Sequence, residues 1–280
     1  MKILVLPGLG DIHWVMLKME SFIEQHCPGE KPEIWIWDFD GRRRGAEFVK
    51  RISFVKFGGY WEAPIRAGRG LFERAYMVNQ DQLTQGFHHF DYFFCVNGGL
   101  RVGDNFETQI LPEYKVNWNY QIDLDDIEPC PWKNYVMFCF SDFGMFSNWV
   151  KQLPEAEIQK ILKNIQERGY EIVLTGSEWD KAFTKKIEIN KAINLCGETS
   201  LDDLFALMKG AKAFVGWCGG NTMIAPHIGT KTLMLWSNYF KHQEFWTNWI
   251  RPDLINKTYF PADVSIGSEN ILRKFDELIR

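Results

Sequence analysis

The segment Asn194–Ser237 constrains the fold more than any other part of this chain. It reads NLCGETSLDDLFALMKGAKAFVGWCGGNTMIAPHIGTKTLMLWS and alternates short apolar runs with glycine turns and helical stretches. A strand over Ala192–Leu195 meets a turn at Cys196-Gly197. Thr199 or Ser200 can cap a helix through Lys209, with Asp202 and Asp203 in the first turn, where acids suit the helix dipole. Gly210 stops that helix, Lys212–Trp217 reads as a buried strand, and Cys218-Gly219-Gly220-Asn221-Thr222 opens a second helix. Lys231–Trp236 returns as a strand. Such alternation builds a parallel sheet covered by helices. Glycines at a helix N-terminus let backbone N–H groups approach an anion. The pattern therefore suits a phosphorylated ligand, a nucleotide in particular.

The rest of the chain continues the pattern. Lys2–Leu6 forms a first strand, Pro7-Gly8-Leu9-Gly10-Asp11 a turn, and Ile12 to about His26 has helical apolar spacing at Val15, Met16, Met19, Phe22 and Ile23. Ile34–Trp37 is a second strand, leading into Asp38-Phe39-Asp40-Gly41. An irregular basic region comes next, then a strand over Asp91–Val96 that ends at Asn97-Gly98-Gly99. The polar stretch Asp123–Pro131, with two prolines, reads as an interdomain linker. Beyond it follow a strand over Asn134–Phe140, a helix from Glu155 to Arg168, a strand over Glu171–Thr175, and a helix from Gly176-Ser177-Glu178 to roughly Glu188. Ser268–Ile279 closes the chain as an amphipathic helix.

The ordered motifs resemble glycosyltransferase family 9, which contains the ADP-heptose:lipopolysaccharide heptosyltransferases. Gly197–Leu201 matches a G-E-T-S/T-L turn, Lys209–Lys212 the end of the following helix, Phe214–Trp217 and Thr232–Trp236 the flanking strands, and Cys218–Met223 a D-S/T-G-x-x-H loop. Gly10-Asp11 matches the G-D pair at the first helix, and Lys151-Gln152-Leu153-Pro154 a K-x-W-P segment with Leu in place of Trp. This sequence departs from the family at Cys218, at Met223 where the His would fall (His227 lies four residues on), and at Ser237-Asn238-Tyr239 in place of G-P-T/S.

The resemblance implies an α/β protein of the GT-B class, with two Rossmann-like domains facing across a cleft. The expected division is 1–128 on the acceptor side, 129–262 for the nucleotide sugar, and a helix in 263–280 that packs back on the N-terminal domain. It further implies inverting, metal-independent sugar transfer from a nucleoside-diphosphate sugar, ADP-heptose first, to a hydroxyl of a glycan or glycolipid. No cofactor is implied, since the nucleotide sugar is a substrate. Asp11 would be the general base. Lys151, Glu178, Gly219, Gly220, Asn221, Thr222 and Ser237 would serve the donor, and Gly10, His13, Arg42, Arg43, Arg44 and Asn97 the acceptor. Asp11 could equally serve the helix N-terminus, and Glu178 the dipole of its own helix.

Two rivals share the architecture. A nucleotide-sugar 2-epimerase would use carboxylates and histidines together, and His13 and His227 are its scarce candidates. A catalytically degenerate protein would bind nucleotide or glycan without turnover.

Charge and composition bound the partners. Residues 42–75 hold nine Lys/Arg against three acids, a local charge of +6 in a chain of net −4. Such a segment can steer an anionic acceptor or meet a membrane surface, or form a solvated face. The acidic balance and the lack of a nucleic-acid module argue against nucleic acid. No run approaches the roughly 20 apolar residues of a membrane span, and the first apolar run enters a strand directly, so a cytoplasmic protein without a signal peptide is expected. Six Cys without a C-x-x-C pair fit reduced thiols, and no metal-ligand spacing stands out. Oligomeric state is not legible.

Overall fold

The computed structural model describes residues 1–38, 43, 45–62, 89–94, 114–139, 153–178, 180–184, 191–217, 219–236 and 251–280. The chain divides into two compact units, Met1–Leu124 and Asp125–Arg280, each built on a parallel sheet.

In the first unit β1 (Lys2–Val5), α1 (Leu9–His26), β2 (Glu33–Asp38), α2 (Ala46–Lys50), β3 (Lys56–Glu62) and β4 (Tyr92–Phe94) follow in order. The sheet order is β3-β2-β1-β4, with parallel pairing throughout. β1 and β2 form because their apolar residues can be buried on both faces, as a helix-covered parallel sheet requires; Ile3, Leu4, Val5, Ile34 and Ile36 are all fully buried. Helix α1 starts three residues before Ile12, so Asp11 lies inside its first turn. The region read as irregular contains α2 and β3. Lys-Phe-Gly-Gly-Tyr-Trp-Glu lacks the β-branched residues that mark strands, and its two glycines read as a turn. They are tertiary instead: a Cβ on Gly58 would lie 2.7 Å from Cδ1 of Trp35, and one on Gly59 2.7 Å from its Cζ3. The indole lies across the strand at a register shift.

The second unit runs β5 (Tyr135–Cys139), α3 (Glu155–Glu167), β6 (Glu171–Thr175), α4 (Asp180–Thr184), β7 (Ile193–Asn194), α5 (Leu201–Gly210), β8 (Ala213–Trp217), α6 (Gly220–His227), β9 (Thr232–Trp236), β10 (Tyr259–Asp263) and α7 (Ser268–Ile279). Its sheet order, β10-β9-β8-β5-β6-β7, is that of a dinucleotide-binding sheet, with the reversal of strand order between β5 and β8. Ser200 caps α5 in a reciprocal box with Asp203: its hydroxyl accepts the Asp203 N–H at 3.1 Å, and Asp203 accepts the Ser200 N–H at 3.0 Å. Gly210 is the last residue of that helix. A Cβ there would lie 2.6 Å from the Tyr135 hydroxyl and 2.9 Å from the Cys130 carbonyl, so glycine permits close packing.

Helix α7 packs on α3, β9 and β10 of the second unit, where Ile271, Leu272, Phe275 and Leu278 join one buried cluster with Ile161, Ile165 and Phe260. Each such apolar side chain contributes about 1.5–3 kcal/mol on burial. The half-exposed Arg168–Asp276 pair at 2.7 Å adds about 1 kcal/mol or less. Packing therefore decides where this helix docks, and the amphipathic pattern could not say which unit supplies the matching face.

Candidate functional site

In open parallel sheets, ligands meet the carboxyl ends of the strands at the point where strand order reverses. In the second unit that point lies between β5 and β8, which pair directly from Val136↔Ala213 to Cys139↔Gly216. α6 begins there. Thr222 is fully buried and ties its start down: Oγ1 accepts the Gly219 N–H at 2.9 Å and lies 2.8 Å from the Gly219 carbonyl and 3.0 Å from the Trp217 carbonyl. The Thr222 methyl packs over Gly216, where a Cβ would come within 3.0 Å of Cγ2 and 2.8 Å of Phe214 Cε1. Asn221 rests its amide nitrogen 4.0 Å from the buried Cys139 Sγ.

The Gly219 N–H is thus consumed internally. The N–H groups of Gly220, Asn221 and Thr222, in the first helical turn, have no intrahelical acceptor by construction, and they form the positive end of α6. Register places Thr175, Cys139 and Gly216 side by side. The fully buried Thr175 hydroxyl has no hydrogen-bond partner among the described residues. Sequence reasoning passed over Thr175; its one signal is a hydroxyl closing the apolar run Ile172–Leu174.

At the ends of β6 and β7 the glycine turn and Glu178 come together. The Gly197 N–H donates to the Gly176 carbonyl at 2.8 Å. Gly197 has φ +67 and stands against the Glu178 backbone, with Cα 2.8 Å from where a Cβ would be. The exposed Glu178 carboxylate pairs with Lys181 at 3.1 Å, and Lys181 also meets Glu198 at 3.6 Å. Glu178, then Glu198, holds the Lys181 ammonium above its usual range. Burial pushes the Cys196 thiol up to about 12, which leaves it protonated and unreactive. Met223 is buried, and His227 follows one turn later at the end of α6. Lys151, Cys218 and Ser237 lie outside the described residues.

In the first unit strand order reverses between β1 and β4, and the Pro7–Asp11 segment follows β1 there. Gly8 is the N-cap of α1 and Asp11 the only acid in its first turn. The Asp11 side chain folds back over Gly8: a Cβ built on Gly8 would overlap Oδ2 and lie 3.1 Å from Cγ. Gly10 is buried in the same turn. His13 is 2% exposed, and its Nδ1 lies 2.6 Å from the hydroxyl of Tyr120. Burial raises that phenol well above its usual pKa. His13 is buried within the first unit.

Arg43, 65% exposed, donates to Glu62 Oε1 at 2.9 Å, a bond that raises the guanidinium pKa. Its carbonyl accepts the Tyr60 hydroxyl at 2.6 Å. Arg42, Arg44 and Asn97 lie outside the described residues. No group of three or more His, Cys, Asp or Glu side chains is placed to hold a metal among the described residues. No helix among them is long and apolar enough to cross a membrane.

Comparison with known proteins bears on this geometry. The family model of glycosyltransferase family 9 (heptosyltransferase) matches residues 105–249, just over half of the chain. E. coli ADP-heptose LPS heptosyltransferase II superposes with a TM-score of 0.67 at 16% identity, covering 100% of this chain and 98% of that one. A glycosyl transferase family 9 structure from Veillonella parvula gives 0.64 at 10%, covering 99% and 96%. E. coli heptosyltransferase WaaC with ADP gives 0.54 at 13%, covering 100% of both chains. At such identities the likeness shows a common fold, of the GT-B class. No curated protein sequence matches the chain.

Proposed function

Because this chain belongs to glycosyltransferase family 9, the heptosyltransferase family, we propose that it is an inverting, metal-independent transferase of nucleoside-diphosphate sugars. The donor would be ADP-heptose or a close analogue, and the acceptor a hydroxyl of a glycan or glycolipid. The observation that carries the reading is the start of α6 at the strand-order reversal of a dinucleotide-type sheet. The N–H groups of Gly220, Asn221 and Thr222 offer a preorganised seat for a diphosphate, whose charge grows as the glycosidic bond breaks. Lys151 would add a mobile positive charge and Ser237 a hydroxyl, while Glu178, beside the Gly197 turn, would meet the nucleoside.

Asp11 is the proposed general base. It would accept the proton of the acceptor hydroxyl from within about 3 Å as that oxygen attacks the anomeric carbon from the face opposite the leaving diphosphate. The bond to the diphosphate breaks, the anomeric configuration inverts, and the proton remains on Asp11 until solvent takes it. The basic stretch 42–75 would draw an anionic acceptor to the first unit, and the enzyme would work in the cytoplasm, at the inner membrane surface when the acceptor is a lipid. The proposed division of labour is acceptor with 1–128, donor with 129–262.

The first experiment is thermal stabilisation by ADP, GDP, UDP and CMP. A ligand at 100 times its Kd adds about 2.7 kcal/mol, a shift of several degrees. Selective stabilisation by ADP, lost in Lys151→Ala, supports the reading and names the donor class; no response to any nucleotide sinks it. Asp11→Asn should keep the ADP shift and lose turnover by at least about 100-fold.

A further inference from the structure

The reading above leaves one buried charge without work. Asp38 ends β2, and its side chain is 1% exposed. Neither carboxylate oxygen has a hydrogen-bond partner among the described residues. Among the described residues the cation beside it is Arg43, whose Nε stands 3.8 Å from Oδ2, beyond hydrogen-bond range, while its Nη2 is committed to Glu62 at 2.9 Å. A buried carboxylate without donors is costly unless something supplies them. Such a group in a folded protein calls for an explanation, in strain, a bound water or ion, or a functional role.

Its position points to a ligand. Asp38 stands two residues beyond Ile36, so the two share a face of the sheet. That face carries α1: Gly45 (φ +88) fits between them, with a Cβ there 2.5 Å from Cδ1 of Ile12 and 3.3 Å from Cδ1 of Ile36. Asp11, the residue before Ile12, therefore lies on the same side of the sheet as Asp38. Asp38 ends β2, and Asp11 lies in the first turn of α1, which follows the neighbouring strand β1 at the same carboxyl end. A carboxylate at the end of the second strand of such a sheet is placed to accept two hydrogen bonds from vicinal hydroxyls, as acids there do with ribose. Arg43, 65% exposed, would have to swing aside for a polyol to reach Asp38.

We infer that Asp38 is an acceptor-binding residue that takes both hydrogens of a vicinal diol on the sugar whose neighbouring hydroxyl Asp11 deprotonates. The inference rests on the transferase reading for its choice of acceptor over other polyols.

The test uses the full chain and saturation-transfer NMR. The probe is methyl α-D-mannopyranoside, which has a cis-2,3-diol; tetrahydropyran-2-methanol, which has no vicinal diol, is the control. Melting temperatures of wild type, Asp38→Asn, Asp38→Ala and Arg43→Ala are recorded alongside, with and without ADP. The expected result is contact with the mannoside alone, at least 10-fold weaker in both Asp38 variants. Their melting temperatures should match or exceed that of the wild type, because an unsatisfied buried charge has been removed. Equal sugar contact in wild type and Asp38→Asn overturns the inference, as does no contact with the wild type. A matching loss of stability in Asp38→Asn and Arg43→Ala also overturns it, since the pair would then be structural. Absence of an ADP shift in the wild type refutes the transferase reading separately, while the mannoside comparison still decides whether Asp38 binds a diol.

Discussion

Thr222 offers the sharpest test of how the anion seat is built. Its fully buried hydroxyl accepts the Gly219 N–H at 2.9 Å and faces the Trp217 and Gly219 carbonyls. Valine has nearly the same shape without the hydroxyl, so Thr222→Val removes these bonds while keeping the contact with Gly216. The Gly219 N–H then has no acceptor. An unsatisfied buried donor costs about 1–3 kcal/mol, so destabilisation of about 2 kcal/mol is expected, equivalent to roughly 4–8 °C in Tm for a unit of this size. Thr222→Ser keeps the hydroxyl and loses one methyl from a packed contact, about 1 kcal/mol. Thermal melts followed by circular dichroism rank the two, and hydrogen exchange at the Gly219 amide reports the bond directly. That amide should lose protection in Thr222→Val and retain it in Thr222→Ser. ADP affinity should fall with the valine, since the first turn of α6 is no longer anchored. A serine variant less stable than the valine variant, or an unchanged Gly219 exchange rate in the valine variant, refutes the claim that the hydroxyl holds this turn.

Two further outcomes test other parts of the molecule. Gly8 has φ −67 and ψ 133, a conformation open to alanine, so Gly8→Ala changes only the space beside Asp11. The displaced carboxylate should lower turnover by about 100-fold with little change in melting temperature, and unaltered kinetics would place the base elsewhere. Arg168 holds the Asp276 carboxyl below its usual pKa. The sign follows: this stabilisation is present above the unfolded carboxylate value of about 3.9 and is lost as pH falls through the depressed folded value. Arg168→Ala should therefore cost about 1 kcal/mol or less at pH 6–8 in urea titrations, and the difference should shrink as pH falls below about 4 and vanish below the depressed folded value; a difference that grows on acidification contradicts the pairing.

The second unit was largely legible as sequence because its elements carry local signals. Ser200 and Asp203 sit at capping distance, Ile158, Ile161, Leu162 and Ile165 repeat at helical spacing, and Ile172–Leu174 is an unbroken apolar run followed by a turn. These depend on backbone geometry and neighbours within a few residues. Gly197, Gly219 and Asp11 were visible as a set because their order along the chain carries information that no single glycine does. What the chain left undetermined depends on residues far apart in sequence. β3 exists because Trp35 lies across Gly58 and Gly59. His13 Nδ1 meets the hydroxyl of Tyr120, 107 residues later, a contact that no local pattern announces. Gly210 ends α5 as its sequence suggests, and the bare Cα also admits the Tyr135 hydroxyl and Cys130 carbonyl. The amphipathic face of α7 required burial, but only the packed second unit decided against what. Periodicity and capping are local properties, written in consecutive residues. The partner of a buried face, the donor missing from Asp38 and the acceptor taken up by Gly219 are set by packing, and they exist only once the strands have come together.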